Sequence, residues 1–111
     1  MTIDSLRDFG ANTDEGLERC MGMEDFYLEM IELGMADERF ELLGRNFQEK
    51  DLDEAFENVH ALKGVIGNLA LGPLFDTICE ITEHLRNREE IDYMPLYDKL
   101  IEQRDRIKEL K

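Results

Sequence analysis

Residues 57–67 read ENVHALKGVIG, and the spacing of the apolar residues in this stretch is typical of an α-helix. At about 100° per residue, one side of that helix is apolar and carries Ala55, Val59, Leu62, Ile66 and Leu69. His60 lies on the other side, where Lys63, Gly64 and Gly67 fall within roughly 60° of it. The pattern therefore predicts a histidine that faces away from the core.

The two glycines beside His60 do not serve helix stability. A glycine inside a helix costs about 1 kcal/mol relative to alanine, so two of them near one exposed histidine require another reason. Bare backbone at these positions leaves room for another molecule to reach the imidazole ring. We therefore expect Gly64 and Gly67 to provide access to His60.

The rest of the chain predicts an all-α fold. Helix-favouring residues are abundant, there are two prolines, and no stretch alternates polar and apolar residues as a strand does. Asp51 and Glu54 are spaced as a capping box that opens the histidine helix, which is predicted to run to about Ala70. Pro73 and Pro95 are well placed at the first position of the two helices that follow.

A further helix is predicted over residues 37–49, and shorter helical segments before residue 35 are predicted to cover one end. Four consecutive amphipathic helices with short links favour antiparallel neighbours, and hence an up-down-up-down four-helix bundle. The chain length fits one domain that spans residues 1–111. In the last helix, Ile107 is expected to face the core and Arg104 to face outwards.

The composition argues against several classes of partner. The chain has a formal net charge of −14, which repels nucleic-acid phosphates and anionic lipid surfaces. Its longest apolar stretch, residues 65–75, is shorter than the roughly 20 residues that span a bilayer. We therefore expect neither nucleic-acid nor membrane partners, and a monomer, since like charges disfavour self-association. Without a leader pattern, a cytoplasmic protein with Cys20 and Cys79 as free thiols is expected.

His60 and Lys63 together are suited to phosphoryl chemistry. A neutral imidazole offers a lone pair and is a competent nucleophile towards an activated phosphoryl group. A lysine three residues later lies roughly 5–6 Å away between Cβ atoms, and its charge can offset the charge on phosphoryl oxygens. An alternative stays open at this point: Lys63 is one more surface cation, and the glycines allow a neighbouring helix to pack closely.

A longer motif begins in the histidine helix, and it consists of HALKG at residues 60–64 followed by Gly67, Leu69, Leu71 and Leu74. This motif resembles the signature of histidine-containing phosphotransfer (HPt) domains, the intermediates of multistep phosphorelays. The resemblance implies that His60 accepts a phosphoryl group from the aspartate of a response-regulator receiver domain and passes it to another receiver. It also implies a phosphate-contacting role for Lys63 and an access role for Gly64. The implied partners are receiver domains and a hybrid histidine kinase.

Three positions depart from the HPt pattern. Small residues are common where this chain has Val65 and Ile66, and glycine is frequent where it has Ala70. Ile66 lies on the predicted core side, so we expect it to change packing rather than chemistry. Val65, together with Phe56 one turn before His60, is predicted to contact a partner protein.

No metal or nucleotide site is predicted in this chain. His84 and the two cysteines lack partners at metal-ligand spacing, and there is no glycine-rich phosphate loop; His84 is expected to be solvated. The HPt resemblance implies that the Mg²⁺ used in transfer is held by the receiver, so no bound cofactor is expected. The first interpretation is therefore a phosphotransfer carrier without ATP-dependent kinase activity of its own.

Two other interpretations stay open. In one, the chain is a helical interaction module that binds or sequesters a receiver or kinase without accepting phosphate. In the other, it is a purely structural acidic bundle, although a core requires neither His60 nor Lys63 nor their glycine neighbours.

Overall fold

The protein is entirely helical. The computed structural model describes residues 1–111 and contains seven α-helices and no strand. The helices are α1 (Ile3–Phe9), α2 (Thr13–Arg19), α3 (Glu24–Met35), α4 (Arg39–Gln48), α5 (Leu52–Asn68), α6 (Gly72–Arg86) and α7 (Met94–Lys108). None of them combines the length and the apolar composition that crossing a bilayer requires. The predicted fold class is confirmed.

Helices α4 to α7 form a four-helix bundle in which each helix packs against the next along the chain. Helix α5 contacts both α4 and α6, and α7 contacts α6 and closes the bundle against α4. Short turns at residues 49–51 and 69–71 join α4 to α5 and α5 to α6, which makes these consecutive helices antiparallel. The up-down-up-down arrangement expected from the sequence is therefore present.

The N-terminal helices cover the end of the bundle at which α5 meets α6. The backbone N–H of Asn12 donates to the carbonyl oxygen of Ala70 at 2.9 Å, and the Tyr27 hydroxyl donates to the carbonyl oxygen of Leu69 at 2.7 Å. Helix α3 also packs against α7. The residues before 35 thus cover one end, as predicted, and they do so beside the C-terminal end of the histidine helix.

The start of α5 is set by one half of the predicted capping box. The Asp51 carboxylate accepts from the N–H of Glu54 at 3.1 Å. The reciprocal bond is missing, because the Glu54 carboxylate accepts from Nδ2 of Asn46 at 2.9 Å, while the Asp51 N–H donates to the Asn46 carbonyl oxygen at 2.9 Å. The buried side chain of Asn46 therefore ties α4 to the first turn of α5 in place of a closed box.

The end of α5 falls at Asn68, two residues earlier than predicted. Ala70 has a φ of 58°, in the left-handed region, which an L-residue enters at a cost of about 1–2 kcal/mol. This left-handed residue ends α5 and leads into α6. Pro73 lies in the first turn of α6, where a backbone N–H has no partner inside the helix, so its missing N–H costs nothing there. A glycine, frequent here in the HPt pattern, would adopt the same conformation without that strain.

Arg104 is buried, with 7% of its surface exposed, and the prediction that it faces outwards is wrong. Its guanidinium lies 5.1 Å from the centre of the Phe40 ring and donates to the carboxylates of Asp105 and Glu41 at 2.7 and 3.1 Å. Burial lowers the pKa of Arg104, but the hydrogen bonds to Asp105 and Glu41 outweigh that effect and raise it. The helical pattern failed here because an arginine stem can cover apolar surface while its charged head is paired.

Candidate functional site

His60 lies in the middle of α5, on the side of the helix that faces solvent. The opposite side of α5 is fully buried through Ala55, Val59, Leu62 and Ile66. The Phe56 ring stacks beside the imidazole, with ring centres 5.8 Å apart and planes 20° from parallel. The predicted orientation of His60 is confirmed, and Phe56 restricts one face of its ring.

Lys63 follows His60 by one helical turn and is partly exposed. It takes part in none of the ion pairs of the chain, which engage six arginines and His84. The Lys63 ammonium is therefore free to bind an anion near His60, although its assigned role stays a prediction.

A cleft of about 670 Å³ adjoins both side chains, and we call it the histidine cleft. It lies between α2, α5 and the start of α6, and it is lined by Asn12, Glu15, Arg19, His60, Lys63, Gly64, Gly67, Asn68, Ala70, Leu71, Gly72 and Phe75. Glu15 is the one carboxylate among these residues, whereas Arg19 and Lys63 are both cations. The histidine cleft is therefore locally positive in a chain whose net charge is −14.

The two glycines beside His60 have different surroundings. A Cβ atom added at Gly64 meets no other atom within 4 Å, whereas one added at Gly67 lies 3.2 Å from the Phe75 ring. Gly64 therefore leaves open space next to His60, and Gly67 allows the Phe75 side chain of α6 to pack closely. Gly67 also lines the histidine cleft, so its access role stays a prediction, but its missing side chain has a packing reason.

The residues predicted to contact a partner lie on different faces of α5. Phe56 stacks on His60, whereas Val65 opens into a separate depression between α3 and α5. We call this depression the apolar groove, and it is lined by Arg19, Cys20, Met30, Leu33, Gly34, Asp37, Val65, Asn68 and Leu69. The structure thus does not bring Phe56 and Val65 together. Ile66 is fully buried in the core, as expected.

A comparison with family models matches residues 31–110 to the Hpt domain. The chain belongs to the Hpt family. Searches of curated proteins and of solved structures found no match. Hpt domains are phosphotransfer carriers of phosphorelays, generally not kinases, and they interact with the receiver domains of response regulators. The match includes His60 and Lys63 and leaves out residues 1–30.

Residues that precede the Hpt match hold the C-terminal end of the histidine helix. Arg19 donates from Nη1 to the carbonyl oxygen of Gly67 at 2.6 Å and from Nη2 to a Glu15 oxygen at 2.6 Å. The carbonyl oxygens of Leu69 and Ala70 accept from Tyr27 and from the backbone of α1–α2. Helix ends leave carbonyls without partners inside the helix, so the N-terminal segment supplies donors that α5 of this Hpt domain lacks.

Sequence reasoning missed Arg19 and Tyr27 as site residues. Arg19 contacts a residue 48 positions away, and no local spacing reports such a contact. One weak signal was present, because Gly16 leaves the space that the buried Tyr27 ring fills. Burial raises the pKa of Tyr27 to about 12, with smaller contributions from Cys20 and Glu15.

The remaining titratable candidates lie away from the histidine cleft. His84 is partly exposed, with 32% of its side chain accessible, and it also has partners that were not predicted: its Nδ1 lies 2.8 Å from Glu89 and its ring meets Tyr93 edge-on. The local sequence hid this contact because Glu89 lies beyond the end of α6. Cys20 and Cys79 are free thiols, as predicted. The Hpt protein brings together no group of three or more His, Cys, Asp or Glu side chains suited to a metal ion.

Proposed function

We propose that this Hpt protein is a phosphorelay intermediate that accepts a phosphoryl group on His60 from a receiver aspartate and passes it to another receiver. The observation that carries the proposal is the exposed His60 imidazole at the wall of a locally positive cleft, with the unpaired Lys63 one turn away. Both residues lie in the part of the chain that matches the Hpt family.

The transfer is a displacement at phosphorus. A ring nitrogen lone pair of His60 attacks the aspartyl phosphate, the new N–P bond forms as the P–O bond to the aspartyl group breaks, and the aspartate leaves as a carboxylate. The reverse displacement, by the aspartate of a second receiver, returns His60 to its free state. Stacking on Phe56 limits the rotation of the imidazole, so that the nucleophilic nitrogen is presented in few orientations.

Lys63 offsets the negative charge on the phosphoryl oxygens. Two unit charges about 4 Å apart attract by about 1 kcal/mol in bulk water and by about 4 kcal/mol at an effective dielectric constant near 20. Because Lys63 is partly exposed, its effect is largest when a docked receiver excludes water from the histidine cleft. Gly64 keeps the approach to His60 free of side chains.

The remaining parts of the proposal concern partners and setting. Phe56, which stacks on His60, contacts the partner, which is a receiver domain or the receiver of a hybrid histidine kinase. The receiver holds the Mg²⁺, and this chain carries phosphate without using ATP. We place the protein in the cytoplasm as a monomeric single domain.

Labelling with each phosphorylated receiver domain of the host, in the presence of Mg²⁺, tests the proposal. The protein should gain a phosphate that is labile in acid and stable in base, and His60→Gln should gain none. His84→Gln is the matched control, because it removes the only other histidine and should label normally. A label on His60→Gln contradicts the proposal. Binding without label in the unsubstituted protein, retained by His60→Gln, would instead support the sequestering module.

A further inference from the structure

Arg19 occupies a distinctive place between the two surface depressions. It lines both the histidine cleft and the apolar groove, and its side chain is 44% exposed. The Gly67 carbonyl and Glu15 take one N–H donor each from its guanidinium. A guanidinium carries five such donors, so three stay available to a group that enters from solvent.

The charge around Arg19 differs from that of the rest of the surface. The chain carries 27 acidic and 13 basic residues, so an acidic partner is repelled over most of the molecule. In the histidine cleft the balance is reversed, because Arg19 and Lys63 face a single carboxylate, Glu15. Lys63 lies within the Hpt match, whereas Arg19 comes from the preceding segment. The second cation is thus an addition of this chain's own N-terminal helices.

We propose that Arg19 is a positioning residue for the phosphodonor, and that its free N–H groups bind a carboxylate on the face of the receiver that surrounds the phosphoaspartate. The inference rests on the proposed function of His60. A receiver whose phosphoaspartate reaches His60 covers the wall of the histidine cleft that Arg19 forms. Because Gly67 and Glu15 already hold the guanidinium, little side-chain freedom is lost when it binds a carboxylate in a two-bond geometry.

The rate of phosphotransfer as a function of receiver concentration tests this role, with the phosphorylated receiver that labels the protein fastest as the probe. Arg19→Gln should raise the half-saturating receiver concentration by roughly 1.4- to fivefold, the range of an exposed charge contact. The maximal rate should stay unchanged, and the dependence of half-saturation on salt should weaken. Arg19→Lys should recover only part of the lost affinity, because it keeps the charge but cannot make the two-bond contact.

Arg86→Gln is the matched control. Arg86 is 48% exposed, pairs with a glutamate on its own helix and lies outside both depressions, so its substitution should leave half-saturation unchanged. Phosphoramidate is a small anionic phosphodonor with no protein surface, so Arg19→Gln should slow labelling by phosphoramidate much less than it slows transfer from a dilute receiver.

Three results would overturn the inference while the proposed function stands. The first is a lower melting temperature of Arg19→Gln with unchanged half-saturation, which would make Arg19 a purely structural partner of Gly67. The second is a slowing of phosphoramidate labelling in Arg19→Gln as large as the slowing of transfer from a dilute receiver, which would mean that Arg19 acts at His60 and not on the receiver. The third is an equal rise in half-saturation for Arg86→Gln, which would show that the effect of Arg19 comes from the net charge of the protein and not from a specific contact. Absence of transfer from every receiver to the unsubstituted protein would refute both the inference and the proposed function.

Discussion

The middle and the C-terminal end of α5 differ in how they are held. Around His60, the helix presents an exposed imidazole, a free lysine and the open position at Gly64. Between Gly67 and Ala70, the backbone carbonyls are bound by residues from the N-terminal helices. The exposed middle is therefore suited to chemistry with a partner, and the bound end sets the position of the helix. One helix can separate the two tasks because they lie about two turns apart.

The largest expected effect is that of His60→Gln, in the middle of α5, which should abolish the chemistry while leaving stability nearly unchanged. His60→Gln should reduce phosphoryl labelling below detection, while the free energy of unfolding should change by no more than about 0.5 kcal/mol, as is usual for an exposed side chain. Urea denaturation of the two proteins provides the second measurement. A loss of stability well above this value would mean that the stack of His60 on Phe56 supports the fold, and the comparison would fail.

The bound end should respond in the opposite way. Tyr27→Phe removes the donor to the buried Leu69 carbonyl and should lower the free energy of unfolding by about 1–3 kcal/mol. Hydrogen exchange should speed up at the last turn of α5, and labelling of His60 by phosphoramidate should continue. Tyr97→Phe is the control, since it removes a similar bond to the Phe40 carbonyl and should leave exchange at the end of α5 unchanged.

The pKa of Tyr27 provides a second test of the same contact. Burial raises that pKa from 10.0 to about 12 in the folded protein, so the folded state holds the phenolic proton more tightly than the unfolded state does. This stabilisation is complete below pH 10 and is lost as the pH rises through about 12. The stability difference between the unsubstituted protein and Tyr27→Phe should therefore shrink above pH 10. A constant difference would show that the hydroxyl is not buried.

The same division explains what the sequence could predict. Three features of α5 depend on residues three or four positions apart: its apolar side, the orientation of His60 and the position of Lys63 one turn later. The spacing of residues in the sequence predicts such neighbours directly. The contact of Arg19 with Gly67 joins residues 48 positions apart, and no periodic pattern carries that information.

The prediction for Arg104 was wrong, and the one for His84 was incomplete, for a related reason. Both are polar by type, but each is partly or fully buried against charged groups on another helix or in a loop. The pattern of polar residues along one helix cannot say whether a neighbouring element supplies a partner. The motif resemblance identified the family because its residues lie within one short stretch of the chain, from His60 to Leu74, whereas Arg19 and Tyr27 lie outside the family match.

Substitutions at Gly64 and Gly67 test whether the exposed middle of α5 requires free space beside His60. Gly64→Ala should raise the free energy of unfolding by about 0.5–1 kcal/mol, because alanine favours the helix and meets no neighbour. The added methyl group should slow transfer from a receiver by roughly tenfold, as expected when the reacting groups are displaced. Gly67→Ala is the matched variant. Its free energy of unfolding should rise less, because the Phe75 ring must shift, and its rate of transfer from a receiver should fall less than that of Gly64→Ala. Equal rates for the two variants would remove the distinction between access and packing.

The smallest expected effect concerns Ala70, at the bound end. Ala70→Gly should relieve about 1–2 kcal/mol of left-handed strain and lose about 0.5–1 kcal/mol through the greater freedom of glycine in the unfolded chain, leaving a gain of about 0–1.5 kcal/mol. Lys50→Gly is the matched control, because Lys50 has a φ of 57° at the turn before α5. Its free energy of unfolding, measured by urea denaturation, should rise by a similar amount. Ala70→Gly removes one methyl group from the wall of the histidine cleft, but neither change alters His60 or Lys63, so neither should alter the transfer rate. If Ala70→Gly slowed transfer and Lys50→Gly did not, the bound end would be setting the geometry of His60, and the two regions of α5 would be coupled rather than separate.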